Sequence, residues 1–245
     1  MLSSEGVSGL VERVLLEDRL ALSTYFRDHE TKAVKGWFRS LVDFETGNAL
    51  TVNVEDGATE MFITATVGNR EYVAIPDGEN HQWISRDLEA GEFPDVGMNS
   101  FLWLLGVADD GSSELPDGSW VFPVDYQRAV AAAGNMAAAK STLQGERTGS
   151  SQPKSGCARV WVEDGILTSF ALELNQRKMM RIISNVRLVE VGIGAGIPSV
   201  KVPGEGEGDI EIVKHSVDQL LKVWAGPDVR SSLPPDPSRL TFPDA

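Results

Sequence analysis

The sequence has 245 residues, of which 42% are hydrophobic and 24% are charged, and its formal net charge is −14. This is the composition of an ordinary globular chain, and the length suits one β-rich sandwich or barrel. The excess of acidic residues and the lack of a basic stripe argue against nucleic acid and anionic membrane surfaces as partners, because both are negatively charged. The single cysteine, Cys157, excludes an internal disulfide, and no Cys/His spacing predicts zinc.

The sequence contains no apolar run of the length that a transmembrane helix needs. Its first residues carry Glu5, Glu12 and Glu17, where a signal peptide would have a basic start and an uninterrupted apolar segment. We therefore expect no stable membrane insertion. The expected location is cytoplasmic for the sequence as it stands, and the cell envelope if a leader precedes it.

The first predicted element is a helix over residues 4–28, with Ser3 or Ser4 as its cap. Its apolar residues recur at helical spacing and form one stripe: Val7, Leu10, Val11, Val14 and Leu15.

A change of periodicity after this helix predicts strands. Turn signals at Gly47-Asn48, Asp56-Gly57 and Pro76-Asp77-Gly78 separate five strand-like segments at intervals of roughly 8–12 residues. Such intervals are too short for helical crossovers, so they predict an antiparallel meander. The segments are WFRSLVDFET (37–46), ALTVNVEDG (49–57), EMFITATVG (60–68), REYVAI (70–75) and HQWISRDL (81–88).

The second half of the chain mixes helices and strands. The segment MNSFLWLLGVADD (98–110) predicts a buried helix that is apolar nearly all round. Further predictions are a strand at 118–127, a helix at 128–145, a hairpin at 157–175 around Asp164-Gly165, a strand at 179–192, an amphipathic helix at 209–226 and an extended proline-rich end. We expect one domain over residues 1–203. Residues 204–245 would form a C-terminal helix and tail that pack on it or extend from it.

Four segments carry a family resemblance: REYVAIPDGENHQW, GSWVFPVDYQRAVAA, ARVWVEDGILTSFALEL and VRLVEVGIGAGIPSVKVP. Their order and aromatic pattern resemble the half-open β-barrel lipoproteins of actinobacteria, of the LppX/LprG type, and more remotely the lipoprotein carrier LolA. The resemblance implies an α+β, mainly β fold, in which a strongly curved antiparallel sheet of about eleven strands has helices on its concave side. It also implies a hollow that takes acyl chains or other apolar ligands. Family members carry an export signal and usually a lipidated cysteine, and this sequence shows neither.

Large aromatic residues recur along these segments and allow two interpretations. Each buries about 150–250 Å2, so core packing alone explains any one of them. The alternative is that they converge on one apolar hollow, since a half-barrel has an interior face. The ligand-binding candidates are Trp37, Tyr72, Trp83, Phe101, Trp103 and Trp120. The partner would then be a hydrophobic small molecule.

Two charged residues are candidates for the polar part of such a site. Arg39 and Asp43 share a strand face with Trp37 because side chains alternate along a strand. A buried, unmatched charge costs several kcal/mol, so these two side chains are either exposed or paired. On an inward face they would anchor a ligand or act as the acid and base of a reaction.

No motif in the sequence predicts a metal or a cofactor. The nucleophile-elbow pattern GxSxG is absent. The glycine-rich segments GIGAG (192–196) and GEGEG (204–208) lack the lysine of a phosphate loop. The pair Asp109 and Asp110 lacks the residue order of a calcium loop.

Three functions remain open. The first is a carrier that holds a lipid-like or polyketide-like molecule in the apolar hollow. The second is a cofactor-independent cytosolic cyclase or isomerase of natural-product biosynthesis, with Arg39 and Asp43 as catalytic residues. Holding a linear precursor for cyclisation or a four-plus-two cycloaddition can supply about 7–11 kcal/mol of the barrier. The third is an interaction protein whose C-terminal helix docks a partner through Trp224.

Overall fold

The computed structural model describes residues 2–27, 34–44, 46, 48–55, 61–68, 70–77, 80–88, 99–132, 153–178, 181–193, 237–240 and 242. The helices within these residues are α1 (Ser4–Leu15), α2 (Asn99–Leu104) and α3 (Tyr126–Ala132), and a 3₁₀ turn spans Pro237–Leu240. The strands are β1 (Arg19–Arg27), β2 (Val34–Asp43), β3 (Asn48–Glu55), β4 (Met61–Val67), β5 (Arg70–Asp77), β6 (Asn80–Asp87), β7 (Ser113–Glu114), β8 (Trp120–Val124), β9 (Pro153–Glu163), β10 (Ile166–Lys178) and β11 (Arg181–Ile193).

The described strands form one antiparallel sheet in the order β6-β5-β4-β3-β2-β1-β11-β10-β9-β8-β7. The pairing of β1 with β11 joins the meander of the first half to that of the second. Because β6 and β7 stand at opposite edges, the sheet stays open. The predicted fold class is confirmed: the chain is α+β and mainly β, with a curved, half-open antiparallel sheet.

The predicted N-terminal helix is correct in its first half and wrong in its second. Ser3 caps α1 by accepting from the backbone N–H of Gly6 at 3.1 Å, and the helix ends at Leu15. Residues 19–27 form β1 instead, hydrogen-bonded to both β2 and β11. The segment RLALSTYFR contains only three residues that favour strands, Thr24, Tyr25 and Phe26, so the two ladders of hydrogen bonds decide its conformation against the helical spacing that precedes it.

Other predicted boundaries shift by a few residues. The helix predicted at 98–110 stops at Leu104, and β7, which the sequence analysis did not predict, follows it. The segment Pro237–Leu240 forms a 3₁₀ turn where an extended chain was predicted, since proline suits the first position of a helical turn. Residues 133–145 and the predicted helix at 209–226 lie outside the described residues.

The hairpin predicted around Asp164-Gly165 is confirmed. These two residues have positive φ angles of 51° and 75°, which is the conformation that a two-residue hairpin turn requires. They connect β9 to β10. With β11, these are the three longest strands, and they are neighbours in the sheet.

One face of the sheet packs against the helices, and we call it the helix face. Its core combines residues of α1, α2 and α3 with alternate residues of β1, β8, β9, β10 and β11. The largest fully buried side chains of the helix face are Phe101, Trp103, Phe122, Phe170, Leu20 and Leu22.

None of the described helices is long and apolar enough to cross a membrane.

The opposite face of the sheet carries a second apolar surface, which we call the aromatic face. Strand register places its members on the same side, because side chains alternate along every strand. Its buried apolar residues run from β5 through β1 to β10: Tyr72, Ala65, Leu50, Val52, Leu41, Trp37, Tyr25, Leu188, Val186 and Ala171.

Candidate functional site

The predicted site residues divide between the two faces of the sheet. Register puts Trp37, Arg39, Asp43 and Tyr72 on the aromatic face. The predicted residues of α2 and Trp120 of β8 lie on the helix face. The sheet itself therefore separates the candidates into two groups.

The centre of the aromatic face is built around Arg39. The guanidinium carbon of Arg39 lies 4.7 Å from the ring centroid of Trp37, in cation–π contact. Trp37 is directly opposite Tyr25 across β1 and β2, and both side chains are buried. The hydroxyl of Tyr25 donates to Oε2 of Glu190 at 3.4 Å. Burial and the charge of Glu190 raise the pKa of Tyr25, so its phenol remains a donor.

Asp43 occupies the end of β2 rather than the centre of the aromatic face. It is 1% exposed, and its Oδ1 accepts from the backbone N–H of Thr46 at 3.1 Å. Its Oδ2 lies 3.6 Å from Nε of Arg19, an ion pair longer than a hydrogen bond. The bond to Thr46 stabilises the β2–β3 turn, and the ion pair connects β2 to β1.

Arg39 and Asp43 therefore have separate surroundings. Arg39 lies over the ring of Trp37, whereas Asp43, four residues or about 13 Å further along β2, bonds to the backbone of Thr46. A joint role for the two as acid and base stays a prediction.

The apolar strip continues from β2 to β5. Leu41 pairs with Leu50, Leu50 with Ala65 and Ala65 with Tyr72, so these four side chains form a row across the strands. All four are buried, with Tyr72 at 4% exposure. Trp83 lies on the neighbouring strand β6, opposite Ala74, as the predicted hairpin requires. Its side chain lies outside the described residues, so its place in the site stays a prediction.

The helix-face candidates are closely packed. Phe101 meets Phe170 edge to face at a centroid distance of 5.0 Å, and Trp103 is 1% exposed. Trp120 stacks on Phe122 at 6.4 Å and is half-buried. These contacts are those of a folded core.

A charged cluster borders the aromatic face at β9. Arg159 donates from Nη2 to Asp117 at 2.6 Å and from Nε to Ser119 at 2.9 Å. Its guanidinium carbon lies 4.6 Å from the ring centroid of Trp161. Burial alone would raise the pKa of Asp117, but hydrogen bonds from Ser119 and the charge of Arg159 outweigh it and lower that pKa to about 2.

A second arginine approaches the same indole from the C-terminal segment. The guanidinium carbon of Arg239 lies 4.8 Å from the Trp161 ring centroid. Its Nη1 donates to Oε1 of Glu190 at 3.0 Å, and its Nη2 donates to the hydroxyl of Ser169. The cluster thus joins β9, β10, β11 and the 3₁₀ turn.

The described residues offer little to a metal or a nucleophilic reaction. Within them, no group of three or more His, Cys, Asp and Glu side chains could hold a metal ion. Burial and the neighbouring Glu173 raise the pKa of Cys157, which disfavours its thiolate. Among the described residues, the aromatic face combines apolar side chains with cationic and hydrogen-bonding groups.

Comparison with known proteins gives structural similarities only. No protein-family model matches the sequence, and no curated protein matches it. An uncharacterised conserved protein from Thermus thermophilus is similar at a TM-score of 0.43 and 10% identity, over 83% of this chain and 96% of that one.

Two further solved structures are similar at lower scores. A LolA superfamily protein from Nitrosomonas europaea has a TM-score of 0.30 and 9% identity, over 78% of this chain and 92% of that one. An S-type phycobiliprotein lyase from Guillardia theta has a TM-score of 0.28 and 9% identity, over 78% of this chain and 96% of that one.

Sequence reasoning missed several residues around the site. Tyr25 was placed in a helix, so its strand face could not be predicted. Glu190 and Arg239 lie 49 positions apart in the sequence, and no local pattern connects them. The run Thr24, Tyr25 and Phe26, three residue types that favour strands, is the signal that could have identified β1.

Proposed function

We propose that this chain binds a large apolar small molecule, lipid-like or polyketide-like, against the aromatic face of its half-open sheet, as a carrier or binding protein. The observation that carries the proposal is the second apolar surface. An antiparallel sheet commonly packs one face and leaves the other to water. Here the helix face has its own core with α1, α2 and α3, yet the row from Tyr25 to Tyr72 is apolar as well.

The aromatic face has the chemistry for such a ligand. An apolar molecule that loses about 300 Å2 of contact with water gains about 7 kcal/mol before the loss of its own freedom is subtracted. Trp37 and Tyr72 are large aromatic side chains that are buried on this face, so a ligand would contact them by replacing the groups that cover them in this structure. Affinity would therefore come from contact area, with little demand on functional groups.

Arg39 supports a defined orientation for the ligand. Its guanidinium lies on Trp37, among the apolar residues of β2 and β3. A carboxylate or carbonyl at one end of a bound molecule would be attracted to this position, because charge-assisted hydrogen bonds strengthen in apolar surroundings. Binding pockets for small molecules are commonly built in this way, with many apolar contacts and few polar ones.

The proposal is tested by binding of a fluorescent fatty acid. Cis-parinaric acid is titrated into the full chain, and saturable quenching of tryptophan fluorescence is expected. Trp37→Ala should weaken binding about tenfold, the factor for a lost contact of 1.4 kcal/mol. Ile84→Ala is the matched control, because Ile84 lies on the other side of β6 and is 49% exposed.

Two further measurements complete the test. If circular dichroism shows that Trp37→Ala does not fold, Trp37→Phe replaces it in the titration. Native mass spectrometry of protein from its own host should show a co-purifying apolar molecule. Absence of saturable binding would contradict the proposal. Conversion of a bound linear precursor, with no metal or nucleotide added, would favour the cyclase alternative instead.

A further inference from the structure

The C-terminal segment, by which we mean residues 237–240 and 242, lies on β9, β10 and β11. Its 3₁₀ turn spans only Pro237–Leu240 and contacts β11. A single turn of this length is not stable alone, so contacts with the sheet determine its position. Residues 194–236 connect the segment to the end of β11. Its docking is therefore the binding of a short peptide that is tethered to its own binding site.

Arg239 is at the centre of this docking. Its Nη1 donates to Oε1 of Glu190 at 3.0 Å, and its Nη2 donates to the hydroxyl of Ser169. Its guanidinium carbon lies 4.8 Å from the ring centroid of Trp161. The sheet thus offers this guanidinium a carboxylate, a hydroxyl and an aromatic ring, all of which bind arginine favourably. We call these three residues the arginine site.

Two further contacts fix the direction of the segment. Arg159 donates from Nη1 to the backbone carbonyl of Ser238 at 3.3 Å, one residue before Arg239. Three residues after Arg239, Phe242 packs against the cluster that contains Tyr25. The sheet therefore binds a defined pattern, which is a backbone carbonyl, an arginine and then an aromatic residue three positions later.

The arginine site has contacts of its own within the sheet. Trp161 donates from Nε1 to Asp117 at 3.3 Å, and the hydroxyl of Tyr25 donates to Glu190 at 3.4 Å. These contacts do not involve the C-terminal segment, so they support the site independently of it. The side chains of Glu190 and Arg239 are 30% and 23% exposed, so water reaches their ion pair and weakens it. A competing segment can therefore replace the docked one.

We infer that the arginine site recognises a segment of a partner protein that carries an arginine and, three residues later, an aromatic residue. The chain's own C-terminal segment occupies the site until that partner displaces it. The net charge of −14 and the carboxylate of Glu190 favour a cationic segment. A second copy of this chain is not the expected partner, because the tether gives each segment a high effective concentration at its own site.

The test uses a fluorescent peptide with the sequence of residues 234–245, PPDPSRLTFPDA. Its binding to the full chain is measured by fluorescence anisotropy, for wild type and for the double variant Arg239→Ala/Phe242→Ala. The double variant releases the segment and keeps the arginine site. The peptide should bind it saturably and should bind wild type at least about tenfold more weakly, because the tethered segment of wild type competes for the site.

Two controls show where the peptide binds. A peptide with alanine in place of Arg239 should bind the double variant about tenfold more weakly. Adding Glu190→Gln to the double variant should weaken the original peptide by about the same factor. Glu71→Gln is the matched control, because it removes an ion pair of 2.7 Å with Arg86 on β5 and β6 and should leave the affinity within about twofold.

Three results of the titration would each overturn the inference: no saturable binding to the double variant, equal binding to wild type, or equal binding of the alanine peptide. A wild-type dimer in sedimentation that Arg239→Ala abolishes would assign the site to a second copy and overturn the assignment to a partner protein. None of these measurements uses an apolar ligand, so their outcome is independent of the proposed function.

Hydrogen exchange of wild type replaces the titration if circular dichroism shows that the double variant does not fold. An excess of the original peptide should accelerate amide exchange in residues 237–242, because it displaces the tethered segment. The alanine peptide should leave this exchange unchanged. Equal exchange with the two peptides would contradict displacement at the arginine site.

Discussion

Asp117 and Arg159 form an ion pair of 2.6 Å in which the two partners differ in exposure. The side chain of Arg159 is 10% exposed and that of Asp117 is 45% exposed. Ser119, which is fully buried, connects them by donating to Asp117 at 2.6 Å and accepting from Arg159. The carboxylate thus neutralises an arginine that has largely left the solvent.

Asp117→Asn should therefore destabilise the fold at neutral pH by about 1 kcal/mol, a value reduced for the exposure of the carboxylate. Urea unfolding at pH 7 measures the change. Asp87→Asn is the control, because Asp87 pairs with Arg70 at 3.0 Å on the surface and should contribute little. Equal effects of the two variants would contradict a special role for Asp117.

The same pair predicts a pH dependence. The pKa of Asp117 is about 2 in the folded chain, below the usual value near 3.9 in an unfolded one. Its stabilising contribution is complete above the unfolded pKa and is lost as the pH falls toward the folded pKa. The stability difference between wild type and Asp117→Asn should be constant above about pH 5 and should shrink between pH 4 and 2. A difference that grows in this range would contradict the assignment.

Asp109 fixes the start of α1. Its carboxylate accepts from the backbone N–H of Ser4 at 2.5 Å and from the Ser4 hydroxyl at 2.7 Å, and these bonds lower its pKa. Ser4→Ala should raise the pKa of Asp109, as measured by NMR of the carboxyl carbon. Ser3→Ala is the matched control: it removes the cap of α1 and destabilises the helix by about 1 kcal/mol, yet it should leave the pKa of Asp109 unchanged.

Substitution by alanine should have opposite effects on the stability of the chain at two glycines. A Cβ at Gly106 would lie 2.5 Å from the carbonyl oxygen of Asp125 and 2.9 Å from Cβ of Ala129. Gly106→Ala should destabilise the chain by about 1–3 kcal/mol through overpacking between α2 and α3. A Cβ at Gly9 in α1 meets nothing within 4 Å, so Gly9→Ala should stabilise by about 0.5–1 kcal/mol. Thermal unfolding of both variants checks the signs.

Substitutions of Trp103 test whether this residue belongs to the core or to the ligand-binding site. Trp103→Ala should destabilise the chain by about 3–5 kcal/mol, because the side chain is 1% exposed among α1, α2 and β10 residues. Leu16→Ala, at 82% exposure, should change stability by less than about 0.5 kcal/mol. The milder Trp103→Phe should leave cis-parinaric acid affinity within about twofold. A large loss of affinity would indicate that Trp103 contacts the ligand.

The sequence was sufficient for the strands of the central meander. From Trp37 to Asp87, turn residues and alternating side chains predicted five strands, and the structure confirms all five within the described residues. Alternation also predicted that Trp37, Arg39 and Asp43 share a face, and the register confirms it. These features depend on neighbours within about ten residues, which is the range over which periodicity carries information.

The sequence failed where distant segments compete with local preference. Residues 19–27 continued a helical pattern, but they lie in the sheet because β11, which is about 165 residues further along the chain, and β2 both bond to them. The side of the sheet on which each aromatic residue lies depends on pairing between strands, since a shift of one residue would reverse every face.

Local patterns in the sequence determined the mainly β class and the spacing of the strands, because turn chemistry and alternation act between near neighbours. The tertiary structure alone decided that Trp37 and Tyr72 lie on one face while Phe101 and Trp103 lie on the other. It alone placed Arg239 over Trp161, and Phe242 against the cluster that contains Tyr25. Such contacts depend on the path of the whole chain, so no local sequence pattern predicts them.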